Sequence, residues 1–63
     1  MKIGDLIMYK NRYIGQQFIV VGVRKVQKGK PLHQYEVEQA QCVSVQTGIK
    51  TRWSSTSTFT VLA

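Results

Sequence analysis

The sequence has few acidic residues and few of the groups that form cross-links or metal sites. Three acidic residues stand against nine lysines and arginines, which gives a formal net charge of +6. The single cysteine, Cys42, cannot form an internal disulfide, and no histidine lies at a zinc-ligand spacing from it. Three acids, one histidine and one thiol do not readily supply a nucleophile, a base and an orienting group together. We therefore expect a protein with no cofactor, no bound metal and no enzymatic activity.

Long apolar runs are also missing. The longest, Phe18–Val23, is far too short to cross a membrane. The first residues, Met1–Asp5, lack the apolar stretch of a signal peptide. We expect a cytoplasmic protein that does not bind membranes. A chain of 63 residues forms a single domain, residues 1–63, with a thin core in which Cys42 is a small buried side chain.

No segment has apolar residues at helical spacing, whereas strand-forming residues and turn residues alternate along the chain. Five short strands are predicted, with a long polar loop after the first and a turn containing Gly29 and Pro31 after the second. A Ser-rich turn, able to form one turn of 3₁₀ helix, precedes the last strand. The predicted strands are Asp5–Tyr9, Gln17–Gln27, Gln34–Gln39 extended to Val45, Ile49–Trp53 and Thr58–Leu62.

The second strand has the strongest hydrophobic pattern. The first half of this strand has no polar side chain, so we expect it to be buried on both faces. Gly22 predicts a bend or bulge of the kind that curves a small sheet. The pattern of the third strand slips near Gln41, which leaves the register there open. Phe18, Trp53 and Phe59 are expected in the core.

Three segments carry a resemblance to a known fold: Ile3–Ile7, in which Gly-Asp precedes apolar residues, the apolar run Phe18–Val23, and Lys50–Trp53. Together they resemble SH3-like (Tudor-like or KOW-like) proteins of very short length encoded by bacteriophages, which implies a location in the host cytoplasm. The resemblance implies an all-β fold, a small five-stranded SH3-like barrel with a strongly bent antiparallel sheet. Closure into a barrel would also protect the edges of an apolar sheet. Peptide-binding SH3 domains have an acidic long loop, whereas this loop contains Lys10 and Arg12, which argues against Pro-rich ligands.

Basic residues are concentrated in the first half of the chain. Residues 1–32 hold seven of the nine lysines and arginines against Asp5 alone. Such asymmetry favours a polyanion or an acidic protein as a partner. Cations would contact phosphates while tyrosines stack on bases, as in single-strand binding proteins. The candidate binding residues, in one loop and one hairpin tip that could converge, are Lys10, Arg12, Arg24, Lys25, Lys28 and Lys30, with Tyr9 and Tyr13.

Lys50 and Arg52 are secondary candidates on one face of the fourth strand. A three-residue turn at Gln46–Gly48 would place them opposite Ser44 and Cys42 as a shallow anion-binding surface, although an ordinary solvent-exposed face is the favoured interpretation. Three functions from different classes remain open. The first is a basic module that captures nucleic acid, and the second is a phage protein that docks on an acidic host protein and modulates or inhibits it. The third is a structural virion or oligomeric component, suggested by the uncharged final stretch 53–63.

Overall fold

A single antiparallel sheet of five strands forms the molecule. The computed structural model describes residues 1–63, and the strands follow the order β4-β3-β2-β1-β5 across the sheet. A 3₁₀ turn, Thr56–Thr58, connects the last two strands. The strands are β1 (Leu6–Tyr9), β2 (Phe18–Lys28), β3 (Tyr35–Ser44), β4 (Ser54–Ser55) and β5 (Phe59–Val61). The all-β prediction is confirmed, and four of the five strands lie close to their predicted positions.

The sheet is open rather than closed. β3 and β1 separate the two edge strands β4 and β5 from β2, and β4 and β5 are not neighbours in the sheet. The structure therefore confirms the antiparallel five-stranded sheet but not a barrel. The predicted fourth strand at Ile49–Trp53 is wrong: only Lys50 makes an isolated bridge, to Val43, and β4 begins at Ser54.

Gly22 forms the predicted irregularity in β2. The pairing of β2 with β3 shifts by one residue between Val20 and Gly22, so that Val20 lies opposite Cys42 and Gly22 opposite Gln41. One extra residue in β2 locally breaks the ladder and increases the bend of the strand. The slip near Gln41 thus arises from a bulge in the partner strand, while β3 itself continues without an inserted residue.

A small core lies under one half of the sheet. Alternation along the strands directs seven apolar side chains to the same side. These are Ile7, Tyr9, Phe18, Val20, Ala40, Cys42 and Phe59. The expectation that β2 is buried on both faces is wrong, since Ile19 and Val21 remain 40% and 39% exposed. The core buries only one face of β2, and Trp53, which was expected in the core, lies outside it and packs against Gly22 and Arg24.

β2 and β3 continue beyond the core as a long two-stranded arm. The molecule measures 42 × 21 × 20 Å, and the β2–β3 hairpin provides its long dimension. The turn at its tip contains Gly29 with a φ of +95°, a conformation that glycine adopts readily.

No helix in the structure is both long enough and apolar enough to cross a membrane.

Candidate functional site

The cations predicted to form one surface are spread along the molecule. Lys10 follows β1 beside the start of β2, whereas Lys28 and Lys30 lie at the tip of the arm. Ten residue steps separate Phe18 from Lys28, and at about 3.3 Å per residue they span roughly 33 Å. The expected convergence of the loop with the hairpin tip is therefore wrong, because the length of β2 keeps them apart.

Arg24 and Lys25 lie in the middle of the arm and already have partners within the protein. The Arg24 guanidinium carbon is 4.2 Å from the centre of the Trp53 ring, and its Nε donates a 2.9 Å hydrogen bond to Gln39. Lys25 Nζ lies 3.6 Å from a Glu36 carboxylate oxygen. As neighbours along a strand, Arg24 and Lys25 point to opposite faces. The structure places them apart from each other and from the remaining cations.

An open pocket of about 400 Å³ lies at the opposite end of the molecule from the arm tip. The loop after β1 and the segment between β3 and β4 form its two sides. Three cations line it: Arg12 from the loop, and Lys50 and Arg52 from the segment. None of the three carboxylates of the chain is among the lining residues. The pocket is consequently a cationic site in which no fixed negative charge competes for the arginines and the lysine.

Two tyrosines and one phenylalanine form the wall of the pocket on the side of the first loop. The Tyr9 ring is buried and packs edge-on against Phe18, with ring centres 5.2 Å apart. Tyr13 packs against Tyr9 at 5.1 Å but remains 51% exposed. The guanidinium of Arg12 lies over Tyr9, 5.2 Å from the ring centre. Tyr13 therefore provides an accessible aromatic surface, whereas Tyr9 is part of the core.

Burial also affects the chemistry of Tyr9. Removal from water raises the pKa of its hydroxyl above the ordinary value, the Cys42 thiolate would raise it further, and the positive charge of Arg12 lowers it in part. Burial likewise raises the pKa of the Cys42 thiol. Both groups are therefore held in their neutral forms. A buried neutral thiol is unreactive, in agreement with the structural role expected for Cys42.

The other wall is held by both side-chain and backbone hydrogen bonds rather than by a regular strand. Ser44 Oγ accepts hydrogen bonds from the backbone N–H groups of Gln46 and Thr47. Gly48, with a φ of +72°, donates its N–H to the Ser44 carbonyl and closes the turn. Thr51 Oγ1 then accepts from the backbone N–H of Cys42 at 3.0 Å. These bonds hold the segment against the end of β3, where the residues on either side of Thr51 are the two cations.

The predicted register of Lys50 and Arg52 is wrong by one residue. Lys50 bridges Val43 rather than Ser44. The Thr51 N–H donates to the Cys42 carbonyl, so that Thr51 occupies the position expected for Arg52. Lys50 and Arg52 nevertheless line the same pocket as Arg12. The secondary candidates thus line the pocket together with Arg12, while Lys10, Arg24, Lys25, Lys28 and Lys30 do not.

Sequence reasoning missed the polar residues of the pocket. Four hydroxyl side chains and one amide line the pocket beside the cations, namely Ser44, Thr47, Thr51, Ser54 and Gln16, and the apolar Ile49 completes the lining. A usable signal was present, because a serine three residues before a Thr-Gly pair favours a side-chain-capped turn. Such a turn would have directed the following residues back towards β3.

The pocket contains no histidine, thiol or carboxylate, the side chains that most often act as acids, bases and nucleophiles. No three histidine, cysteine or acidic residues of the structure lie together in a group that could hold a metal ion.

Comparison of the chain with protein-family models, with curated proteins and with solved structures found no match.

Proposed function

We propose that this protein is a non-enzymatic binding module that captures nucleic acid in the cationic pocket. The observation that carries the proposal is the grouping of Arg12, Lys50 and Arg52 around one concave site without a carboxylate. Arginine and lysine donate charge-assisted hydrogen bonds to phosphate, and contacts of this kind provide most of the sequence-independent affinity for nucleic acids.

The accessible Tyr13 ring distinguishes this site from a generally basic surface. Proteins that hold single strands combine a cationic groove with aromatic side chains on which bases stack. In the pocket, Tyr13 lies on the same wall as Arg12, and the hydroxyl groups of the other wall offer further hydrogen bonds. The arm tip also has an exposed aromatic, Tyr35 opposite Lys28, but its cations lie at a turn rather than in a pocket.

The order of the elements supports the SH3-like assignment as part of the proposal. A long loop follows β1, a hairpin joins β2 to β3, and a 3₁₀ turn precedes β5. We propose an open SH3-like sheet in which the pocket lies between the first loop and the segment before β4. A phage origin and a cytoplasmic location are proposed together with this SH3-like assignment.

Fluorescence anisotropy with a labelled single-stranded oligonucleotide tests the proposal. The variant Arg12→Glu/Arg52→Glu removes two pocket cations, and its matched control, Lys28→Glu/Lys30→Glu, changes the net charge by the same amount at the arm tip. We expect the pocket variant to bind roughly tenfold more weakly or worse, and the control to change roughly threefold or less. Equal losses in the two variants would show that total charge, rather than the pocket, determines binding.

A salt series gives the number of phosphate contacts. Three contacts on a single strand predict a slope of log affinity against log salt of about −2, and loss of two of them predicts about −0.7. If the wild-type protein binds no oligonucleotide even at low salt, the proposal is wrong. The acidic host protein would then be the better candidate, to be sought by capture from nuclease-treated lysate.

A further inference from the structure

We infer that the pocket holds one unpaired nucleotide, with its base on Tyr13 and its phosphate against Arg12 and the cations opposite. This inference rests on the proposed function and specifies the ligand at the same site. The volume of about 400 Å³ lies near the lower end of the range of roughly 300–1,000 Å³ typical of small-molecule sites. Such a pocket suits a single nucleotide better than the paired and stacked bases of a duplex.

The backbone of Tyr13 supports a role for its side chain in binding. Tyr13 is the only non-glycine residue with a positive φ, +50°. A bulky side chain is unfavourable in this conformation, which asparagine and glycine adopt more readily. Strained residues of this kind are concentrated at ligand sites, where the surrounding structure holds them in place.

Local hydrogen bonding imposes this conformation. The N–H of Gln16 donates to the Tyr13 carbonyl at 3.0 Å, and Gly15, also at positive φ, completes the turn. The turn itself does not require an aromatic residue at position 13. Packing on Tyr9 and Phe18 explains only part of the ring, because about half of Tyr13 remains accessible to solvent. A base that stacks on the exposed surface provides a further reason for a tyrosine at a position where asparagine would be less strained.

The polar groups around the ring match the remaining parts of a nucleotide. Arg12 approaches from the same loop, and Lys50 and Arg52 from the opposite wall, so a phosphate can contact cations on two sides. Gln16 and Thr47 supply an amide and a hydroxyl at the rim, and both can donate and accept hydrogen bonds. A single strand places base and phosphate next to each other, whereas a duplex presents phosphates but hides the faces of its bases.

Nuclear magnetic resonance titration of the wild-type protein with adenosine monophosphate provides the first test. We expect saturable shifts confined to the amides of residues 9–18 and 44–54. Ribose 5-phosphate carries the phosphate without the base, and we expect it to bind roughly fivefold more weakly or worse because it cannot stack. Equal affinity for the two compounds would overturn the inference, since the pocket would then recognise the phosphate alone.

Substitution of Tyr13 provides the second test. Tyr13→Asn removes the ring and its packing on Tyr9 but suits the positive φ, so we expect only a small loss of thermal stability while affinity for a single strand falls roughly tenfold. Affinity for a duplex of the same sequence should change less than twofold. The matched control is Tyr35→Asn on the arm, where Tyr35 is similarly exposed, and it should leave both affinities unchanged.

The outcomes separate the inference from the proposed function. If both the wild-type protein and Tyr13→Asn bind nucleic acid, and neither protein distinguishes single strands from duplexes, the inference of a nucleotide pocket is wrong. The protein would still be a module that binds polyanions. If neither nucleic acid binds, the proposed function fails as well. Should Tyr13→Asn not fold, the comparison of adenosine monophosphate with ribose 5-phosphate on the wild-type protein decides the question alone.

Discussion

The contact between Gly22 and Trp53 leads to a prediction that runs against the usual effect of replacing glycine. A Cβ atom added at position 22 would lie 2.9 Å from Cη2 and 3.4 Å from Cζ2 of the Trp53 ring. Favourable contacts between carbon atoms are about 3.5–4.0 Å long, so the ring would have to move by roughly 0.6 Å. Arg24 lies on the same ring and is itself hydrogen-bonded to Gln39, so this movement would also disturb the cation–π contact.

The size of the effect follows from two opposing terms. Overpacking of this kind costs about 1–3 kcal/mol, whereas alanine in place of glycine within a strand gains about 0.5–1 kcal/mol. We therefore expect Gly22→Ala to lower the free energy of unfolding by about 1 kcal/mol. Trp53 is the only tryptophan, so urea unfolding followed by both fluorescence and circular dichroism reports the local and the global change together.

The control is the same substitution made without the indole ring. In a Trp53→Ala background the added methyl group meets no ring, and Gly22→Ala should raise the free energy of unfolding by about 0.5 kcal/mol. The difference between the two backgrounds gives the energy of the contact directly. If Gly22→Ala stabilises the protein equally in both backgrounds, Trp53 does not pack on Gly22 in solution and the reasoning is refuted.

Two further predictions concern the core. Ile7 is fully buried, and Ile7→Ala should cost about 2–5 kcal/mol, a large part of the roughly 3–9 kcal/mol expected for a domain of this size. Circular dichroism should show extensive unfolding of Ile7→Ala, while the free energy of unfolding of the exposed control Ile14→Ala stays within about 0.5 kcal/mol of the wild-type value. Similar losses of stability in the two variants would contradict the assigned core. Burial raises the pKa of Cys42 and of Tyr9, so the unfolded chain releases these protons first and stability should fall as the pH rises above 9.0, the ordinary value of the thiol. Each group contributes at most about 1.4 kcal/mol per pH unit to this loss of stability. Urea titrations at several pH values should show that the free energy of unfolding falls less steeply with pH in Cys42→Ala than in the wild-type protein. An identical decline in the two proteins would contradict a role for the thiol.

Most of the fold could be predicted from the sequence because short-range rules determine it. Alternating apolar residues and Gly or Pro turns located β1, β2, β3 and β5, and Gly22 marked the bulge. The fourth strand could not be located in this way. Residues 45–53 are held by the side chains of Ser44 and Thr51 and by backbone hydrogen bonds to β3 rather than by a regular ladder, and their pattern of alternation mimicked a strand. Closure of the sheet depends on whether its edges meet in space, which no local pattern specifies.

The candidate site was only partly predictable for a related reason. Arg12 and Tyr13 were recognised as candidates, and so were Lys50 and Arg52, but nothing in the sequence showed that all four line one pocket. Their proximity depends on the turn after β3, which brings the second pair towards the first loop. Arg24 was predicted to be a free binding cation, but it packs on the ring of Trp53. Local sequence patterns could not show this contact, because Trp53 is distant from Arg24 in the chain.

The position of the pocket on the core determines which substitutions can report on function. Tyr9 and Phe18 belong to both the pocket wall and the core, so replacing either one changes stability and binding together. The same packing gives the pocket a rigid base, which lowers the entropy lost when a ligand binds. Arg12, Tyr13 and Arg52 stand on that base with exposed side chains. Because the thin core leaves little stability to spare, these exposed residues are the ones through which binding can be changed while the fold is kept.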